Sequence, residues 1–228
     1  ANTAAADYMD LAARGDMAVY LALPRTNRGT PKDWAAAIAL RENGAGWILR
    51  YGAKPEEAPA LAAEIAALRE LAPGKRAVVT LDAAGGAEAW RTALPKLLEA
   101  GLGVVCFDAF PCLDSGETDE AGYAALLKYA RLQAGAFGAE VWATVQTAPF
   151  DGRRRPSESD IRLQAYTALA HGVSGIGYYA YWRDPRWQTF ESWGPGMIDV
   201  LSGAVEYGYE MTAILNRELV QLAPHLEG

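Results

Sequence analysis

Cysteine and histidine are scarce in this chain, with two of each among 228 residues. Two cysteines make no disulfide framework, and Cys106, inside an apolar run, and Cys112, just after it, read as packing residues. No spacing of His, Cys or carboxylates resembles a zinc or calcium site, so no metal or other cofactor is expected. His171 precedes Gly172 at the end of a helical stretch, where the helix dipole favours a partly cationic ring, and His225 lies in the tail. Long apolar runs are missing too: no stretch reaches the roughly eighteen residues that a bilayer requires, and the first residues lack the charged-then-apolar order of a signal peptide. Positive charge is in deficit. Lys and Arg number 21 against 28 Asp and Glu, for a formal net charge of -7 and a pI near 5.0. Nucleic acid and anionic membrane would be repelled by such a surface, and a neutral or weakly polar ligand fits better.

What is present is an ordinary globular composition, 51% hydrophobic and 21% charged, enough to bury one sizeable core in a single domain over 1–228. Six apolar runs of strand length recur: Met17 to Leu23, Gly46 to Tyr51, Ala77 to Asp82, Val104 to Phe110, Val141 to Thr147 and Gly175 to Trp182. Between them the pattern predicts helices over 31–43, 56–72, 86–100, 119–136 and 158–171, flanked by helical stretches at 2–14 and 197–222. Thr30-Pro31 before Asp33, Lys54-Pro55 before Glu56-Glu57, and Ser157 before Asp160 are helix-entry signals. Gly44, Gly74, Gly101, Gly138 and Gly172 fall where a left-handed residue would end each helix.

Strict alternation of near-continuous apolar strands with helices demands a parallel sheet covered by helices, either a closed barrel or an open doubly wound sheet. Two features favour the barrel. No Gly-rich phosphate loop follows any strand, and polar or aromatic residues end several different strands: Arg50, Asp82, Asp108, Gln146 and Trp182. Six strands do not close an eight-stranded barrel. With the Ala1-Asn2-Thr3 start and the Leu226-Glu227-Gly228 stop, this makes the expected architecture a partial (β/α)8 barrel cut at both ends, with the open parallel sheet as the alternative. A piece of this kind would expose strand edges and helix faces, and self-association is expected of it.

The passage Arg155-Pro156-Ser157-Glu158, then Leu169-Ala170-His171-Gly172, then Gly175-Ile176-Gly177-Tyr178-Tyr179-Ala180-Tyr181-Trp182 resembles the final helix and strand of the β-galactosidase-like barrels of glycoside hydrolase clan A. Val105-Cys106-Phe107-Asp108-Ala109-Phe110-Pro111 is similar to that family's sixth strand, Val141 to Gln146 to its seventh, and Gly46 to Arg50 to its fourth. The resemblance implies that the six strands are the third to the eighth, that a saccharide is the ligand, that the compartment is periplasmic or extracellular, and that contacts exist with two preceding strands and a C-terminal β domain. It also implies a pair of glutamates, an acid/base after strand four and a nucleophile on strand seven. At those places this chain carries Tyr51-Gly52-Ala53 and Gln146, and an amide is neither an anionic nucleophile nor a useful proton donor.

Other carboxylates therefore become the candidates. Asp108, which ends an apolar strand, and Asp82, which ends another, are the expected catalytic pair; Asp114, Asp151 and Asp184 lie in segments of the same kind. For Asp108 the alternative is a carboxylate that caps backbone N–H groups or pairs with Arg50 or Arg153. Arg50, Tyr51, Gln146, Tyr181, Trp182 and Glu191 are the expected substrate-binding residues. Tyr181, Trp182, Trp187, Phe190 and Trp193 are flat rings that suit the apolar faces of sugars, while Trp142 and Tyr178 read as core or helix-interface residues. The run Arg153-Arg154-Arg155 suits either a solvated loop or an acidic sugar or phosphate. The functional expectations are a glycosidase that uses Asp108 and a second carboxylate, a saccharide-binding barrel without catalysis, or a structural domain without ligand.

Overall fold

In a computed structural model, residues 3–23, 29–39, 41–182, 194, 196–199 and 201–226 are described. Eight helices and six strands alternate along them: α1 (Thr3–Arg14), β1 (Val19–Ala22), α2 (Pro31–Ala39), β2 (Gly44–Ala53), α3 (Ala58–Leu71), β3 (Arg76–Asp82), α4 (Gly86–Ala89), α5 (Leu94–Ala100), β4 (Val104–Asp108), α6 (Glu120–Gly135), β5 (Glu140–Gln146), α7 (Glu158–Ala170), β6 (Gly175–Tyr179) and α8 (Tyr207–Leu226). The six strands form one sheet in the order β1-β2-β3-β4-β5-β6. A doubly wound sheet reverses its order at a switch point, whereas each strand here pairs with the next in sequence. The fold is therefore a partial (β/α) barrel type.

The chain divides into two compact units, residues 1–108 with 128–142 and residues 109–127 with 143–228. In the first, β1 to β4 pair in parallel. α3 packs against α2 and α5, and Ile38, Trp47, Leu61, Ile65, Leu94 and Leu97 are completely or almost completely buried. Buried indoles are anchored through their N–H groups, as a desolvated donor requires: Trp47 Nε1 donates to the Trp34 carbonyl and Trp90 Nε1 to that of Asp82. Trp142 meets Tyr20 edge to face at 5.4 Å.

In the second unit, Val145 of β5, Ile161 and Ala165 of α7 and Leu215 of α8 form the core, with Tyr166, Ile176, Tyr178, Met211 and Leu219 packed against it. Tyr178 is thus an interface residue, as expected. Ser157 and Asp160 make the anticipated capping box at the start of α7, and His171 caps its end.

Four expectations change. The stretch 86–100 is two helices, because Trp90 turns inward and Pro95 restarts the chain as a helix. α2 stops at Ala39, and Gly44 opens β2, without the left-handed turn that Gly74, Gly101, Gly138 and Gly172 do make. The last helix begins at Tyr207, because an isolated Ile198 to Val205 bridge occupies the segment before it. The final strand ends at Tyr179, short of Trp182.

Candidate active site

Asp82 and Asp108 are register partners at the C-terminal ends of β3 and β4. Parallel pairing places such residues side by side, about 4.8 Å apart along the sheet, with side chains on the same face. Asp82 Oδ1 accepts the Ala84 N–H at 2.8 Å, so this carboxylate also shapes the turn into α4. Asp108 is held by a different set of donors, built by an irregularity in β2.

The β2–β3 pairing shifts between Arg50 and Ala53, which face Val79 and Leu81 respectively. An extra residue in one strand releases ladder groups from their usual partners. Gly52, at φ 58°, lies in this bulge, and its N–H donates to Thr80 Oγ1 at 2.9 Å. Thr80 Oγ1 in turn donates to Asp108 Oδ2 at 2.6 Å. Burial dominates these bonds: it pushes the Asp108 carboxyl up from 3.8 to about 6, against the lowering effect of Thr80 and Gly52 and with a further push from the Asp82 charge. Tyr51, beside Gly52 in the sequence, is exposed, and partial desolvation followed by the Asp108 charge raises its titration.

The remaining expected residues fall into distinct settings. Arg50 pairs with Glu57 at 2.6 Å, the last residue of the 3₁₀ turn that Pro55 begins, and so does not hold Asp108. Tyr181 and Trp182 are 57% and 54% exposed, and the Tyr181 ring meets that of Tyr209 at 6.4 Å. Glu191 lies outside the described residues, as do Asp184, Trp187, Phe190 and Trp193. Gln146 is fully buried in the second unit. Its Nε2 donates to the Arg154 carbonyl at 2.8 Å, its N–H donates to Gln164 Oε1, and its own Oε1 has no partner among the described residues.

Arg154 departs from the solvated-loop reading of the arginine run. Its Nη1 and Nη2 reach the two Asp160 oxygens at 2.7 and 2.9 Å, and Nη2 also donates to Thr118 Oγ1. This guanidinium, with the Ser157 hydroxyl, holds Asp160 well below the usual carboxylate range. Arg155 faces Glu206 more loosely, at 3.6 Å. An open depression lined by Leu113, Glu117, Thr118 and Asp119 also belongs to the second unit and contains neither Asp82 nor Asp108.

Sequence reasoning passed over Thr80, although a lone Thr in the apolar run Arg76 to Asp82, two residues before an Asp and on the same strand face, is a legible signal. It also passed over a three-ring cluster in the second unit. Phe110, Phe150 and Tyr179 meet at centroid separations of 4.9 and 5.2 Å, each following or ending a strand.

No protein-family model matches the sequence, nor does the sequence of any curated protein. The fold does match solved structures. A Bacteroides thetaiotaomicron protein with a provisional α-L-fucosidase assignment superimposes with a TM-score of 0.60 at 12% identity, over 76% of this chain and 63% of that one. A β-glucuronidase from an uncultured Clostridium species gives 0.60 at 12% identity, over 92% and 42%. A Thermotoga maritima β-glucosidase gives 0.58 at 13%, over 92% and 76%. This chain thus spans less than two thirds of the first two. Barrels of other chemistry match as well, among them 2,3-dimethylmalate lyase at a TM-score of 0.50. At these identities the likeness is one of fold: the chain has the barrel architecture that glycoside hydrolases share with other enzymes.

Proposed function

We propose that this barrel hydrolyses the O-glycosidic bond of a β-linked saccharide, with Asp108 as proton donor and Asp82 as the second carboxylate. The carrying observation is the pair itself: two aspartates side by side at strand ends, one of them desolvated enough to titrate at about 6. A carboxyl that burial leaves protonated up to about 6 suits the role of acid. In the reaction, Asp108 gives its proton to the leaving oxygen as the anomeric C–O bond breaks and that oxygen takes the bonding pair. Asp82 stabilises the positive charge that builds at the anomeric carbon, water adds there and gives up a proton to solvent, and Asp108 takes its proton back from solvent. In this reading β1 and β6, the outermost strands of the sheet, are where further strands complete the barrel.

The test is hydrolysis of a panel of chromogenic β-glycosides by this chain and by its Asp108→Asn and Asp82→Asn variants. Turnover by the first, loss in Asp82→Asn, and loss in Asp108→Asn on glycosides whose leaving group needs a proton support the assignment. A second reading, a saccharide-binding barrel without catalysis, is favoured by the Tyr51-Gly52-Ala53 sequence and by the buried amide of Gln146, where the resembling barrels place glutamates. It predicts sugar binding, read by Trp fluorescence, with no turnover.

A further inference from the structure

Thr80 has one hydroxyl proton to give, and the geometry around it decides where that proton goes. The Gly52 N–H points into Thr80 Oγ1 at 2.9 Å, so that contact uses the oxygen as acceptor. The 2.6 Å contact with Asp108 Oδ2 is Thr80's donation, since an ionised carboxylate has no hydrogen to give. An oxygen that receives a short hydroxyl bond is the poorer place for a carboxyl proton, because two hydrogens would face each other along one line.

We propose that Thr80 is a positioning residue for Asp108: oriented by Gly52, it occupies Oδ2 and leaves Oδ1 as the one oxygen that takes up and releases the proton. This rests on the reading of Asp108 as proton donor and adds to it a device that aims the proton. The arrangement has a sequence origin, since the β2 bulge frees the Gly52 N–H and the isolated Thr in β3 stands at the register position that receives it. It also opposes desolvation, because a donor at Oδ2 favours the ionised carboxyl and brings Asp108 back toward neutral pH from the higher value that burial alone would set. Thr80 is 7% exposed, so solvent does not replace its hydroxyl when it is removed.

The experiment is NMR titration of the Asp108 carboxyl carbon in the full chain, in its Thr80→Val variant, which keeps the side-chain shape, and in its Thr80→Ser variant, which keeps the hydroxyl. The expected result is a midpoint near 6 in the parent, a rise of roughly one pH unit, tenfold in ionisation constant, in Thr80→Val, and return to the parent value in Thr80→Ser. The same midpoint in Thr80→Val and the parent overturns the proposal, as does a Thr80→Ser variant that titrates like Thr80→Val. The titration is read without substrate, so it stands apart from the glycosidase assignment. A shifted midpoint in a chain that cleaves no glycoside upholds Thr80 and sinks the hydrolase reading. Turnover with an unmoved midpoint does the reverse.

Discussion

Asp108 stands beside Asp82 in the β3–β4 register, and burial raises its carboxyl from 3.8 to about 6. Such a group costs stability whenever it is ionised. Between about pH 4 and 6 the folded state holds a proton that the unfolded chain has released, so stability falls as pH rises through that window and the full cost applies above it. The shift corresponds to about 3 kcal/mol as an upper bound. Asp108→Asn is therefore expected to be more stable than the parent at pH 7.5 and equally stable near pH 4. Urea unfolding at the two pH values checks this, and a variant that loses stability at pH 7.5 contradicts it.

The Arg154–Asp160 pair behaves in the opposite sense. Its carboxyl is held below the ordinary range, so its contribution is present above about pH 4 and is lost as pH falls further. The side chains are 26% and 12% exposed. Truncating either one leaves the other charged and poorly solvated, and Asp160→Ala is expected to cost about 3 kcal/mol. Asp160 also accepts from the Ser157 N–H and hydroxyl, so the α7 cap goes with it. A double-mutant cycle with Arg154→Ala measures the coupling by denaturant unfolding; strict additivity would show that the pair is not the source of the loss.

Gly46 and Gly52, both in β2, are expected to respond differently to alanine. At Gly46 a Cβ would lie 1.9 Å from the Arg76 carbonyl oxygen, a backbone atom that cannot move without parting β2 from β3. Gly46→Ala should therefore fail to fold or lose more than about 4 kcal/mol. At Gly52 a Cβ meets only Asp108 Oδ2, at 3.6 Å, and the cost is that of a left-handed backbone, about 1–2 kcal/mol. Thermal melts of the two variants order them, and a Gly46→Ala protein as stable as Gly52→Ala would refute this account of the β2–β3 contact.

The same titration sets the pH dependence of turnover. Asp108 must be protonated to act as donor, so activity is expected to fall about tenfold per pH unit above 6. A pH–rate profile on one glycoside reads this directly. A rate that stays level from pH 6 to 8 is incompatible with Asp108 as the acid.

Much of this was legible in the sequence, for reasons that differ between residues. Strand and helix order followed from apolar periodicity, and the Ser157–Asp160 box from local capping chemistry, both of which depend on near neighbours. The break at Trp90 depends on a carbonyl at Asp82 that accepts its indole N–H, a contact settled by packing. Gly44 reads as a helix terminator because the stretch before it is helical, but its place is fixed by its pairing with Val19 of β1. The position of Asp82 and Asp108 at strand ends follows from the apolar runs before them, while their exact register, 26 residues apart in sequence, is a property of the sheet. Thr80 was missed for the same reason: its partners lie on two other strands.

The most direct measurement compares leaving groups. An acid catalyst matters for a glycoside whose aglycone leaves poorly and hardly at all for a dinitrophenyl glycoside, which departs without a proton. Parent and Asp108→Asn should hydrolyse the dinitrophenyl substrate at similar rates, while the variant loses about 100-fold or more on the corresponding alkyl or methoxyphenyl glycoside. An equal loss on both substrates, or none on either, would contradict the assignment of Asp108 as proton donor.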